Sequence, residues 1–152
     1  MQLAALDIQP EDAEVRHASE WLHEQAGRMG IPSDPVERLD LCLNEALANV
    51  FTHGGPGVTT APVKLLLEAN LASHAREAWI TVVDAGHPFD PSTASIGPRP
   101  GSLEEAEPGG LGLVMIRSYA DDLRYWHEAG CNHLRFAVRW KPAGDAHANG
   151  RD

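Results

Sequence analysis

Glu45, Asn49 and His53 recur at intervals of four residues, the spacing that stacks side chains in one row along a helix. Leu39, Leu43, Leu47 and Val50 keep helical spacing on another flank, so the helix packs its apolar stripe against a sheet and the polar row borders a cleft. A carboxylate and a carboxamide so close to a core cost stability unless the fold or a ligand supplies partners. A second polar position ends an apolar run: Trp79-Ile80-Thr81-Val82-Val83 reads as a buried strand and Asp84 stands at its mouth. Gly86 lacks a side chain and lets a flat ring approach the backbone, and His87-Pro88 ends the strand. The third stretch, Pro108-Gly109-Gly110-Leu111-Gly112-Leu113-Val114-Met115-Ile116, runs from glycines into an apolar helical pattern. Free amides at such a helix start, with the dipole behind them, form an anion site that phosphate oxygens can approach.

Each stretch alone has an ordinary reading. The polar row suits the solvated side of any amphipathic helix, Asp-x-Gly is a common turn, and a glycine run serves as a hinge. The glycines match neither the dinucleotide nor the Lys-Ser/Thr phosphate-loop fingerprint. In order along one chain, they describe a site for a purine nucleotide and a hard cation. Asp84 can only accept, which suits the exocyclic amine of adenine and opposes the carbonyl of guanine.

Leu43–His53, Val83–Asp90 and Gly109–Ile116 resemble the N, G1 and G2 boxes of the GHKL ATPase superfamily, most closely in the branch of small bacterial anti-sigma-factor serine/threonine kinases. The resemblance covers residues 1–141 and leaves 142–152 as a polar, disordered tail. It implies an α+β fold, the two-layer Bergerat sandwich, with a mixed sheet and helices on one face, the pocket lying between the layers. It implies ATP and Mg2+ as cofactors. In family terms Asn49 gives its amide oxygen to magnesium, Glu45 acts as the base towards a serine hydroxyl, and Asp84 and Gly86 hold adenine. Gly109, Gly110, Leu111, Gly112 and Leu113 cradle the phosphates, and His53 either supports the phosphates or caps its own helix. The implied activity is phosphorylation of a small antagonist (anti-anti-sigma) protein and sequestration of a sigma factor, in the cytoplasm and by analogy as a homodimer. The alternative is a module in which nucleotide occupancy only selects the partner.

The chain departs from that pattern in two places. Glu104, Glu105 and Glu107 precede the glycines where relatives often carry a basic residue, leaving Arg99 or Arg117 to supply positive charge. Gly130-Cys131 stands where many relatives have Gly-Thr, whose hydroxyl joins the adenine network.

Composition narrows the classes. The chain has 152 residues, enough for one domain with a proper core, and lacks an apolar run that could span a membrane. A net charge of −10 opposes a phosphate backbone, so nucleic acid is not an expected partner. Cys42 and Cys131 suggest no disulfide framework, and the eight histidines show no zinc spacing. Trp21, Trp79, Trp126 and Trp140 read as core or interface anchors.

The elements that must position these groups follow from the same patterns. Leu3–Ile8 reads as an edge strand and Pro10–Met29 as a helix with an acidic start, closed near Gly30. A second helix opens at Ser33-Asp34-Pro35 and stops at Gly54-Gly55-Pro56-Gly57. Val63–Leu71 and Ala78–Val83 read as neighbouring strands, Pro91–Pro108 as a mobile loop, and Gly110–Ala120 as a third helix. Leu123–His127 and His133–Trp140, joined around Gly130, form a closing hairpin.

Overall fold

The computed structural model describes residues 2–53, 61–72, 74–86 and 116–142. Strand β1 (Gln2–Ile8) leads into helices α1 (Ala13–Met29) and α2 (Ser33–His53), followed by β2 (Val63–Asn70), β3 (Arg76–Asp84), β4 (Asp122–Glu128) and β5 (Cys131–Trp140). Helix α1 begins three residues later than its acidic start suggests, because Glu14 turns back to accept from the Gln9 amide at 3.1 Å and residues 9–12 form a turn instead. Its end is a left-handed Gly30 (φ 86°) with the Ile31 amide donating to the Ala26 carbonyl at 3.0 Å, which satisfies carbonyls the last turn leaves open.

The five strands form one sheet in the order β1-β2-β3-β5-β4, and all four neighbouring pairs are antiparallel. The expected mixed sheet is therefore replaced by an antiparallel one. The reason is topological: β3 and β4 run the same way, as strands joined by a crossover should, but the hairpin folds β5 into the gap between them. That hairpin turns on Ala129 (φ 55°) and Gly130 (φ 78°), two left-handed residues whose twist matches that of the strands.

Helices cover one side of the sheet. In β2 Val63, Leu65, Leu67 and Ala69 are buried while the alternating residues are not, the period-two signature of a sheet with one packed face. Leu39, Leu43, Ala46 and Leu47 of α2 meet Ile80, Leu134, Phe136 and Val138 in the same core, together with Leu22 of α1. The two helices are clasped at the outside. Asp40 of α2 accepts from Ser19 Oγ of α1 at 2.6 Å, and His23 reaches Glu37 at 3.2 Å while its Nδ1 meets the Ser19 carbonyl at 2.9 Å. Ligand atoms of His23, Glu37 and Asp40 lie within 4.8 Å of one another, a grouping across two helices that linear spacing conceals.

The opposite side of the sheet is sheltered by its own side chains. Arg135 lies 4.5 Å over the Trp79 ring, whose indole nitrogen donates to Glu68 at 2.8 Å, and Trp126 stacks on His133 with centroids 5.0 Å apart. Trp21 and Trp79 are buried, as anchors should be. Among the described residues no helix is long and apolar enough to cross a membrane.

Candidate nucleotide-binding site

The end of β3 carries a polar network inside the core. Asp84 is paired in register with Asn132 of β5, and both are buried. Asp84 Oδ1 accepts from the Gly86 amide at 2.8 Å and from Asn132 Nδ2 at 3.1 Å. The Asn132 amide also reaches the Gly86 carbonyl at 3.4 Å, and its oxygen accepts a short hydrogen bond from the Tyr125 hydroxyl. A buried carboxylate is retained only where such donors face it. The Asp-Ala-Gly segment thus forms the turn, closed by Oδ1, and among the described residues no hydrogen bond reaches Oδ2.

Helix α2 brings the second group. It packs on β3 and β5, and its one side carries Glu45, half-buried, and Asn49, only 3% exposed. Neither the amide oxygen nor the amide nitrogen of Asn49 has a hydrogen-bond partner among the described residues. Asn49 is thus sunk deeper than the edge of a cleft. An orphaned buried carboxamide costs about 1–3 kcal/mol for each unmet group, which favours a ligand that supplies both missing partners. The oxygen suits a hard cation and the NH2 suits an anionic oxygen, so the side chain fits a magnesium-bound phosphate.

Cys42, one turn before Glu45, is a free, fully buried thiol. Burial pushes its pKa up to about 12, with Arg38 opposing and Glu45 adding to the rise, so it remains a neutral packing group. The cysteine also touches the carbonyl of Ile116 at 3.9 Å. Residues 116–119, the helical turn after the glycine run, are held at their far end by Arg38. Its guanidinium donates to the carbonyls of Tyr119 (3.4 Å) and Arg139 (3.0 Å) and pairs with Asp121 at 3.4 Å. Arg117 lies exposed on that turn.

The predicted phosphate cradle, Gly109, Gly110, Leu111, Gly112 and Leu113, lies outside the described residues, as do Arg99, Glu104, Glu105, Glu107, the expected loop over 91–108 and residues 143–152. His53 is the last residue of α2.

A family profile described as a histidine kinase-like ATPase domain matches residues 8–138. The chain belongs to the histidine kinase-like ATPase domain family. Serine/threonine-protein kinase BtrW of Bordetella bronchiseptica is 36% identical over 105 residues, which are 68% of this chain and 70% of that protein. Among solved structures, the RsbU and RsbW domains of Rv1364c from Mycobacterium tuberculosis match 94% of this chain with a TM-score of 0.66 at 14% identity. This chain spans 34% of that longer one. The SiaB–SiaC complex of Pseudomonas aeruginosa holds a chain that matches with a TM-score of 0.59 at 12% identity, covering 90% of this chain and 88% of that one. At such identities both show a shared fold, so the α+β histidine kinase-like architecture inferred from the three boxes is borne out.

Reading along the chain missed Asn132, Tyr125 and Arg38. The signal for Asn132 is present: in β5 it alternates with Leu134 and Phe136, so a carboxamide occupies an inward position. Attention to Gly130-Cys131 passed over it, since Cys131 belongs to the opposite phase and Asn132 is the residue that faces Asp84. Tyr125 and Arg38 carry no local signal, because their partners lie on other elements.

Proposed function

We propose that the chain is an ATP-dependent serine protein kinase and anti-sigma factor of a partner-switching pair. It phosphorylates a small antagonist protein and sequesters a sigma factor, as a cytoplasmic homodimer. Family membership and the kinase relative support the activity, and the observation that carries the site is the buried amide of Asn49, which has no hydrogen-bond partner among the described residues.

In this reading Asp84 Oδ2 accepts the exocyclic amine of adenine, and Gly86 lets the ring lie against backbone. Asn49 gives its amide oxygen to the cation and its NH2 to a phosphate oxygen. The amides of Gly109, Gly110, Leu111, Gly112 and Leu113 donate to the remaining phosphate oxygens. His53 supports the same charge or ends its helix. Magnesium, when bound, neutralises charge on the transferring group. Glu45 then orients the serine hydroxyl of the antagonist and takes its proton as the oxygen bonds to the γ-phosphorus and the bond to the ADP oxygen breaks. Replacing Glu45 by Gln should leave ATP affinity within about twofold and lower phosphoryl transfer by at least 100-fold, the order of a lost general base. Transfer that persists in Glu45→Gln overturns this assignment.

The acidic run Glu104, Glu105 and Glu107 supports a second reading, in which bound nucleotide only selects the partner. Carboxylates beside a triphosphate oppose charge build-up there. That reading predicts ATP-dependent partner affinity with no labelled phosphate on the antagonist.

A further inference from the structure

The hydrogen bonds around Asp84 have a direction that the chemistry imposes. A carboxylate only accepts, so Asn132 must turn Nδ2 towards it, at 3.1 Å from Oδ1. The amide oxygen is thereby turned to Tyr125, whose hydroxyl must donate. The Gly86 amide reaches the same Oδ1 at 2.8 Å. Both donors therefore fall on one oxygen, and no hydrogen bond reaches Oδ2 among the described residues.

We propose that Tyr125 and Asn132 form a relay that occupies one oxygen of Asp84 and reserves the other for the 6-amino group of a purine. Discrimination between 6-amino and 6-oxo purine nucleotides is thus set from β4, two strands away from Asp84 in the sheet. The proposal rests on the nucleotide-site reading above and deepens it. Tyr125 is a positioning residue: the carboxylate sets which end of the Asn132 amide faces it, and the Tyr125 hydroxyl, donating to the amide oxygen, holds the side chain in that pose. Without that hydroxyl the amide can swing, Oδ1 loses a donor, and the carboxylate is free to rotate or to bind water that bridges to a 6-oxo group. The arrangement is buried, so the loss is felt more than at a surface. Asn132 is 6% exposed and Asp84 7%.

ATP and ITP isolate the 6-position of the purine. Their dissociation constants are measured by calorimetry on the full chain with magnesium for wild type, Tyr125→Phe, Asn132→Leu and Asn132→Asp. Wild type should prefer ATP strongly. Tyr125→Phe and Asn132→Leu should weaken ATP binding by about three- to tenfold, the value of one or two hydrogen bonds, without weakening ITP. Where transfer is measured, KM for ATP rises and kcat at saturation stays. Asn132→Asp sets a second carboxylate against Asp84, and the like charges favour protonation of the pair; a proton carried on Asp84 Oδ2 is then a donor that a 6-oxo group can accept. ITP binding should therefore improve in that variant as pH falls.

A wild type that binds no ATP overturns the nucleotide-site reading itself. A wild type that prefers ATP, beside a folded Tyr125→Phe whose ATP/ITP ratio stays within twofold, overturns the relay alone. Should Asn132→Leu not fold, Tyr125→Phe still decides, since it deletes one oxygen from a half-buried side chain.

Discussion

Replacing Asn49 by Leu separates what the fold needs from what the site needs. The wild-type carboxamide is 3% exposed and both of its polar atoms lack partners among the described residues. Each unmet group costs about 1–3 kcal/mol, giving an upper bound of about 6 kcal/mol. Leucine is of similar volume but differently branched, and a reshaped contact in a packed core returns about 1–3 kcal/mol of that gain. Asn49→Leu should therefore stabilise the nucleotide-free protein by about 1–3 kcal/mol, seen as a midpoint raised by about 2–4 °C per kcal/mol. The ligand response should invert. A ligand at 100 times its dissociation constant stabilises wild type by about 2.7 kcal/mol, and a chain that cannot hold it gains nothing. Urea or thermal unfolding with and without magnesium and ATP measures both quantities on the same samples. An Asn49→Leu protein that is less stable than wild type without nucleotide, or that gains as much from magnesium and ATP, refutes the reasoning that a ligand completes this amide.

Three further outcomes follow from the geometry. Ala129 holds a left-handed conformation (φ 55°) that favours asparagine or glycine, so Ala129→Asn before Gly130 should raise stability by about 1 kcal/mol in urea titration. The Arg38 guanidinium joins α2 to the carbonyls of Tyr119 and Arg139 and to Asp121; Arg38→Met should cost about 1–3 kcal/mol and speed amide exchange over residues 116–121, and unchanged exchange there would refute the anchor. The pKa of His23 is raised above 6.5 by the Ser19 carbonyl foremost, against partial burial, with Glu37 and Asp40 adding to the rise. A value raised on folding means stability that is full below 6.5 and lost as pH climbs through the folded value, so His23→Gln should flatten the stability profile just above pH 6.5. The effect is small because the imidazole is 43% exposed.

What could be read along the chain, and what could not, divides by the range of the interaction. The stripe of Leu39, Leu43 and Leu47, the alternation of Val63, Leu65 and Leu67, and the stop at Gly30 are local, and each element formed where its period or cap demanded. The strand order is not local. Periodicity fixes which side of β5 faces inward but says nothing of its insertion between β3 and β4, and only that insertion sets Asn132 against Asp84. The site shows the same division. Asn49 was visible as a polar residue on a helix, yet its depth depends on how closely α2 settles on the sheet, and that closeness leaves the amide buried with no partner among the described residues. A purine-binding reading drawn from short boxes thus names only the residues proposed to touch a ligand. The residues that orient them, Tyr125 behind Asn132 and Arg38 behind the turn at residues 116–119, become visible only once the strands are in order.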